Sequence, residues 1–140
     1  MIAGKTFAEI REGDTAKFEV IVDEALVQKF ADLSGDNNPL HMDAEFAART
    51  PVGERVAHGM LGGALLSRLV GMHLPGTHSL YLSQSLFFRR PIRIGTTITV
   101  SGTVAQKIDP VKTLRMSTVI TDSKTGEVLT DGEAMVKVLV

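Results

Sequence analysis

Alternation of apolar and polar residues marks several stretches of this chain as β-strands with one buried face. Residues 16–22 (AKFEVIV) carry apolar side chains at every second position, which predicts a half-exposed first strand. Four later segments are rich in threonine, valine, isoleucine and leucine and are predicted as strands: residues 79–89, 96–107, 113–122 and 133–140. Polar turns are predicted at residues 123–126 and 130–132.

The part of the chain between the first strand and residue 74 has helical spacing instead. Asp23 can cap a first helix, because its carboxylate can accept from the free amides of the first turn, and Gly35 can end that helix. Asp43 similarly precedes a short helix (AEFAART), in which Phe46 and Ala47 are expected to face inward.

Residues 59–72 (GMLGGALLSRLVGM) are apolar on nearly all faces, so we expect a helix surrounded by protein. Each of its glycines disfavours the helix by about 1 kcal/mol relative to alanine, which close packing against a sheet can offset. One strand, then helices, then a run of strands predicts an α+β domain with an antiparallel sheet. A sheet wrapped around one long central helix, the hot-dog fold, accommodates every element in a single domain spanning residues 1–140.

Candidate chemistry is concentrated in residues 35–43 (GDNNPLHMD), which are rich in turn formers and are predicted to form a fixed, irregular loop. Asp36 and His41 on this loop form a plausible acid–base pair for one water molecule. Downstream, Gly59 begins the apolar helix, whose amino end can face an anionic intermediate. We interpret His58 mainly as support for the start of that helix through backbone contacts.

Composition and net charge limit the kinds of partner that this chain is expected to bind. The chain has 140 residues, of which 44% are hydrophobic and 22% charged, and its net charge of −1 argues against a general nucleic-acid binder. It contains no cysteine and no closely spaced histidine motif, so no metal site is expected. The amino terminus lacks a signal-peptide core, and the longest apolar run falls short of a membrane span. We therefore expect a cytoplasmic protein with no membrane partner.

Three motifs stand out: residues 34–43 (SGDNNPLHMD), 55–61 (RVAHGML) and 80–91 (LYLSQSLFFRRP). Together they resemble the MaoC-like (R)-specific enoyl-CoA hydratases, also called hydratase 2. The family pattern of Asp, any residue, Asn, Pro, an apolar residue and His is matched from Asp36 to His41. The likeness is strongest to the short bacterial type that supplies monomers for polyhydroxyalkanoate synthesis. It implies a homodimer that acts on an acyl-CoA thioester, with CoA present only as part of the substrate.

The resemblance also implies a role for individual residues. Asp36 and His41 would be the catalytic dyad and Asn38 would orient it, while the Gly59 backbone N–H would bind the thioester oxygen and Ser67 would lie near the bound water and substrate. The implied reaction is the reversible, (R)-specific hydration of a trans-2-enoyl-CoA to an (R)-3-hydroxyacyl-CoA. Which member of the dyad acts as the base is left open.

Other residues have two interpretations each. Arg89 and Arg90, with Arg93, form a basic cluster that can contact CoA phosphates or can be a solvated strand end. Leu66 and Val70 can line the acyl pocket or can belong to the hydrophobic core.

Three other functions are possible for a hot-dog domain of this kind. Hot-dog thioesterases place a carboxylate on or beside the central helix, and the acyl-carrier-protein dehydratases, which act on 3-hydroxyacyl thioesters, tend to use an acid there. Between Gly59 and His73 this chain has neither aspartate nor glutamate, which counts against both. A non-catalytic acyl-CoA-binding subunit is a third alternative, and the intact Asp36/His41 pair argues against it.

Overall fold

One antiparallel sheet of six strands dominates the computed structural model, which describes residues 1–140. The strands are β1 (Thr15–Val22), β2 (Ser79–Gln84), β3 (Phe87–Phe88), β4 (Thr96–Ile108), β5 (Thr113–Asp122) and β6 (Val128–Val138). The helices are α1 (Glu24–Ser34), α2 (Pro39–Met42), α3 (Ala44–Ala48) and α4 (Gly59–Arg68). A π-helical turn (Leu69–His73) continues α4, and a 3-10 turn (Asp109–Val111) joins β4 to β5.

The strand order is β1-β4-β5-β6-β2, and β3 pairs with another part of β6. Strands β4, β5 and β6 follow one another as a meander, whereas β1 comes from before the helices and pairs along its whole length with β4. The helical segment therefore connects the two ends of the sheet and places α4 across it. This arrangement is the hot-dog fold, and the predicted α+β class is confirmed.

Close contact between α4 and the sheet is made possible by glycine. Apolar side chains of α4 and of the strands share one core that includes Leu61, Leu65, Leu66, Leu69, Ile98, Val100 and Ile120. A Cβ atom at Gly62 would lie 3.0 Å from Ile120 Cδ1, and one at Gly102 of β4 would lie 2.8 Å from Leu69 Cδ2. The expectation that tight packing accompanies the helix glycines is thus confirmed at Gly62.

A second core lies under the amino-terminal segment, where Phe7 and Ile10 pack with residues of β4, β5 and β6. The segment is held by backbone hydrogen bonds, among them the Phe7 N–H to the Val140 carbonyl at 2.9 Å. Tyr81 of β2 packs against this core, and burial raises its pKa to about 12. Its hydroxyl donates to Gln84, which in turn bonds the buried Thr118 hydroxyl at 2.9 Å.

The central helix differs from the prediction in two ways. Its α-helical part ends at Arg68, and one of its faces is exposed, with Met60 57% accessible and Ala64 and Ser67 also exposed. The expectation of a fully surrounded helix is wrong for the isolated chain, because the sheet covers only one side of α4. No helix is both long and apolar enough to cross a membrane.

One turn prediction and one strand prediction also need correction. Residues 130–132 lie inside β6 rather than in a turn, and the predicted strand at residues 79–89 is split into β2 and β3. Gly132 is present because the Ser85 carbonyl occupies the place that a Cβ atom would take. A glycine at position 132 therefore indicates the close approach of another strand's backbone and not a turn. Phe46 is 40% exposed rather than inward, whereas its neighbour Ala47 is buried as predicted.

Candidate active site

The end of α1 places Asp36. Gly35 adopts the left-handed conformation (φ 75°) and its N–H bonds the Ala31 carbonyl, which ends the helix. The Ser34 hydroxyl then accepts from the Asp36 N–H at 3.1 Å. The Asn38 N–H donates to Asp36 Oδ1 at 3.1 Å, which fixes one carboxylate oxygen and leaves the other free of hydrogen bonds within the chain.

A short helix, α2, places His41. Asn38 is its N-cap, with the side-chain oxygen accepting from the Leu40 N–H at 2.9 Å, and Pro39 occupies the first turn, where a missing N–H costs nothing. The predicted irregular structure is confirmed for residues 35–38 and is wrong for residues 39–42, which form α2. The Asn38 side chain thus shapes the turn, while its backbone N–H contacts Asp36.

Hydrogen bonding defines the tautomer of His41. Its Nδ1 lies 2.8 Å from the Val56 carbonyl oxygen, which can only accept, so Nδ1 carries the proton. In the neutral ring Nε2 is therefore an unprotonated acceptor, as a general base requires. The Arg55 Nε donates to the His41 carbonyl at 2.6 Å, and its Nη1 pairs with Glu24 of α1 at 2.8 Å, which ties the turn to the first helix.

His58 lies behind the dyad and is only 2% exposed. Its Nε2 is 2.8 Å from the Asp36 backbone carbonyl, and its ring centroid is 4.2 Å from that of His41 and 4.8 Å from that of Phe30. The interpretation that His58 makes backbone contacts is confirmed, but its link to the Asp36 loop was missed. Only its position immediately before a glycine-led helix could have signalled it.

Gly59 is the first residue of α4, and the chain supplies no acceptor for its N–H. That N–H lies at the positive end of the helix dipole. A Cβ atom at this position would lie 2.8 Å from Phe88 Cε1, so any side chain here would overlap the Phe88 ring. Gly59 and His41 line one cleft of about 350 Å³, together with Met60, Phe88, Arg89 and Arg90.

The arginines of the basic cluster are already paired. Arg89 Nε lies 3.0 Å from Asp131 Oδ1, Arg90 pairs with Glu127, and Arg93 Nη1 lies 2.8 Å from a carboxylate oxygen of Glu54. Arg89 and Arg90 line the cleft, whereas Arg93 does not. An anionic ligand at the cleft mouth would therefore compete with surface carboxylates for two arginines.

The predicted substrate contacts on α4 are separate from this cleft. Leu66 and Val70 are each 1% exposed and belong to the two hydrophobic cores, and Ser67 lies on the exposed face of the helix. None of the three lines the cleft that contains His41 and Gly59. Within one chain, the structure brings Asp36 and His41 together. His41 also shares a cleft with Gly59, Arg89 and Arg90, and the predicted contacts on α4 lie outside that cleft.

Asp36, His41 and His58 also have the composition of a metal site. One ligand-type atom from each lies within 4.8 Å of the others. However, two imidazole nitrogens are already engaged with backbone carbonyls, His41 Nδ1 with Val56 and His58 Nε2 with Asp36. The same groups can equally hold one water molecule between a carboxylate and an imidazole.

The fold and site together define a class of protein: a hot-dog domain in which an Asp/His pair lies beside the amino terminus of the central helix. Residues 7–128 match the family model described as a MaoC like domain. The chain belongs to the MaoC-like family, and the resemblance inferred from its three motifs is confirmed.

Related proteins match nearly the whole chain. It is 41% identical over 132 residues to the 3-hydroxybutyryl-CoA dehydratase of Methylorubrum extorquens, covering 94% of this chain and 83% of that protein. It is 40% identical over 127 residues to the (R)-specific enoyl-CoA hydratase of Aeromonas caviae, covering 89% and 92%. The unliganded R-hydratase PhaJ1 of Pseudomonas aeruginosa superposes with a TM-score of 0.92 and 39% identity over 98% of this chain and 87% of that one.

Proposed function

We propose that this protein catalyses the reversible, (R)-specific hydration of trans-2-enoyl-CoA to (R)-3-hydroxyacyl-CoA. The observation that carries the proposal is the close approach of His41 to the Asp36 carboxylate, one ring nitrogen lying within 4.8 Å of a carboxylate oxygen, with His41 and the unbonded Gly59 N–H on one cleft. The names of the relatives, an enoyl-CoA hydratase and a 3-hydroxybutyryl-CoA dehydratase, describe the two directions of this one reaction type.

The dyad supplies the protons. Free water has a pKa of ~15.7 and is a poor nucleophile at neutral pH, so a base must lie within hydrogen-bond reach. His41 Nε2 takes one proton as the water oxygen bonds to C3, and the C2=C3 electrons move onto the thioester. The dyad then returns one proton to C2 on the same face. His41 is the better base because its Nδ1–H is held by Val56. Asp36 positions the water and relays the proton.

The enolate oxygen is stabilised by the helix. Negative charge collects on the thioester oxygen between attack at C3 and protonation at C2, and a donor already in place costs no reorganisation at that moment. The Gly59 N–H meets this need, because no group of the chain accepts from it and Gly59 lines the same cleft as His41. No metal and no organic cofactor is required by this mechanism.

The direct test is hydration of crotonyl-CoA, followed as loss of the enoyl-thioester absorbance, with the chirality of the product determined. Asp36→Asn and His41→Gln should each lower kcat by at least about 10²-fold, the scale of a lost acid–base group. Asp32→Asn, which changes an exposed aspartate of α1, is the matched control and should leave turnover unchanged. Absence of hydration at every acyl length would overturn the proposal.

The acyl group of the substrate can be carried by CoA or by an acyl carrier protein. The mitochondrial 3-hydroxyacyl-[acyl-carrier-protein] dehydratase of Arabidopsis thaliana is 36% identical over 97 residues, covering 69% of this chain and 56% of that protein. We infer CoA as the carrier because Arg89 and Arg90 at the cleft can meet its phosphates. Arg89→Ala and Arg90→Ala should raise KM for crotonyl-CoA, whereas Arg93→Ala, outside the cleft, should not. Equal KM values for all three would remove this assignment.

We also infer that the chain forms a homodimer. Strand β2 pairs on one side only, with β6, and carries the exposed Leu80 and Leu82, 49% and 53% accessible. An unpaired strand edge with apolar side chains is a template for pairing with a second copy. Leu82→Glu should shift the mass measured by light scattering from dimer to monomer. Leu33→Glu, at an exposed leucine of α1, is the control and should not.

A further inference from the structure

His58 joins two parts of the molecule that both belong to the proposed site. It is the N-cap residue of α4, directly before Gly59, but its side chain makes no hydrogen bond to the first turn of that helix. Instead the ring reaches back to the Asp36 carbonyl, 22 residues earlier in the chain. One side chain therefore spans from the helix amino terminus to the loop that carries the dyad.

The hydrogen bond fixes which nitrogen carries the proton. The Asp36 carbonyl oxygen can only accept, so His58 Nε2 is a donor and carries hydrogen. Nδ1 is buried and has no hydrogen-bond partner. A second proton on Nδ1 would place a positive charge there without an acceptor, beside the His41 ring at 4.2 Å. His58 Nε2–H therefore donates to the Asp36 backbone carbonyl, and Nδ1 is left without a hydrogen bond.

The His41 end of the loop is held by hydrogen bonds to Val56 and Arg55, whereas the Asp36 end has a single long-range hydrogen bond. Residues 33–39 are exposed, and the other hydrogen bonds of Asp36 are local, to Ser34 and Asn38. The bond from the buried His58 is the long-range one, and it starts from the residue whose neighbour carries the oxyanion donor. Its length sets the separation between the loop backbone and the start of α4.

We propose that His58 is a positioning residue, whose Nε2–H holds the Asp36–His41 loop in register with the Gly59 N–H without itself exchanging protons with substrate. This inference rests on the proposed hydratase function. A displacement of about 1 Å in a catalytic group can lower the rate ~10²-fold, so a single buried hydrogen bond at this place can control turnover.

The test compares His58→Gln with His58→Asn, a pair that differs by one methylene. The amide nitrogen of glutamine can reach the position of imidazole Nε2 and can still donate to the Asp36 carbonyl, whereas that of asparagine stops short. Both variants lose the tilted ring contacts with His41 and Phe30, so that loss cancels in the comparison. His58→Asn should lower kcat by about 10²-fold, with little change in KM for crotonyl-CoA. His58→Gln should recover most of that loss and keep the wild-type shape of the pH–kcat profile.

Three results would overturn the proposal. Equal inactivity of both variants, with thermal stability close to wild type, would mean that the imidazole itself acts chemically. Wild-type kcat in His58→Asn would mean that the hydrogen bond does not position the dyad. A kcat loss that follows the melting temperature equally in both variants would make the role purely structural.

A measurement without substrate separates this inference from the hydratase function. Side-chain ¹⁵N NMR of the folded wild-type protein should show His58 as the Nε2–H tautomer, and the Asn38 amide should exchange faster in His58→Asn than in His58→Gln. If the wild type hydrates no enoyl-CoA while these signals are found, the proposed function fails and the loop anchor remains. If His58 is the Nδ1–H tautomer, the anchor fails whatever the activity.

Discussion

Replacement of Gly59 by alanine tests the proposed oxyanion donor. A methyl group there would lie 2.8, 3.0 and 3.1 Å from three ring atoms of Phe88. Carbon atoms pack best at about 3.5–4.0 Å, so the ring must move by about 0.7 Å or more. Phe88 is 54% exposed and can shift outward, which keeps the overlap near the lower end of the ~1–3 kcal/mol seen for overpacking. Alanine returns up to about 1 kcal/mol of helix propensity.

Turnover should fall much more than stability. The added methyl and the displaced Phe88 ring both lie on the cleft beside the Gly59 N–H and should hinder a thioester oxygen there, and losing one such donor lowers kcat by about 10²–10³-fold. The free energy of unfolding should change by no more than about 2 kcal/mol, the difference between the overlap and the propensity gain. Both quantities are measurable on one preparation, by crotonyl-CoA hydration and by urea unfolding.

Gly71→Ala is the matched control, because no atom lies within 4 Å of a Cβ built at that position. It should keep wild-type turnover and unfold at the same or a higher urea concentration. The double variant Gly59→Ala/Phe88→Ala removes the overlap but keeps the methyl beside the amide, so it should not regain activity relative to Phe88→Ala. A Gly59→Ala enzyme with wild-type kcat would refute the assignment of this N–H as the oxyanion donor.

Other expected outcomes concern stability, the turn and metal dependence. Tyr81 is the single tyrosine, so tyrosinate absorbance should titrate near pH 12 in the folded protein and near pH 10 in urea. Because the folded pKa is the higher one, the free energy of unfolding should fall as the pH rises between these two values, and it should fall less in Tyr81→Phe. Asn38→Ala removes the cap of α2 and should lower stability by about 1 kcal/mol, seen as a lower melting temperature together with reduced kcat. Chelator should leave hydration unchanged, because the Asp36–His41–His58 cluster needs no metal in this mechanism; loss of activity on chelation would contradict it.

Local signals in the sequence were sufficient where the deciding contacts are local. Asp23 caps α1, with its carboxylate accepting from the Leu26 N–H at 2.9 Å, and Gly35 ends the same helix, both as predicted. The bounds of β5 agree residue for residue with residues 113–122. Each of these features depends on a few neighbouring residues, so the local sequence is enough to predict it.

Features that depend on distant backbone were missed. Gly132 looked like a turn glycine, but the atom that requires it is the Ser85 carbonyl of another strand. His58 looked like local helix support, but its partner is Asp36, which the fold brings to it from the end of α1. Within the site, the motif was enough to propose Asp36, His41 and Gly59. The tautomer of His41 could not be proposed, because Val56 belongs to a separate loop.

The error about the central helix is itself informative. Its sequence is apolar on nearly all faces, yet in the isolated chain Met60 and Ala64 remain exposed. An apolar helix face without a cover is unfavourable in water, at roughly 25 cal/mol for each Å² that could be buried. The exposed leucines of β2, at an edge that pairs on one side only, add to the same unburied surface. A second copy of the chain that covers the exposed face of α4 and the β2 edge would complete the burial that the sequence predicts. It would also enclose Ser67, which lies on that exposed face and outside the cleft of its own chain. If the Leu82→Glu monomer keeps full activity, Ser67 has no role at a site shared between subunits.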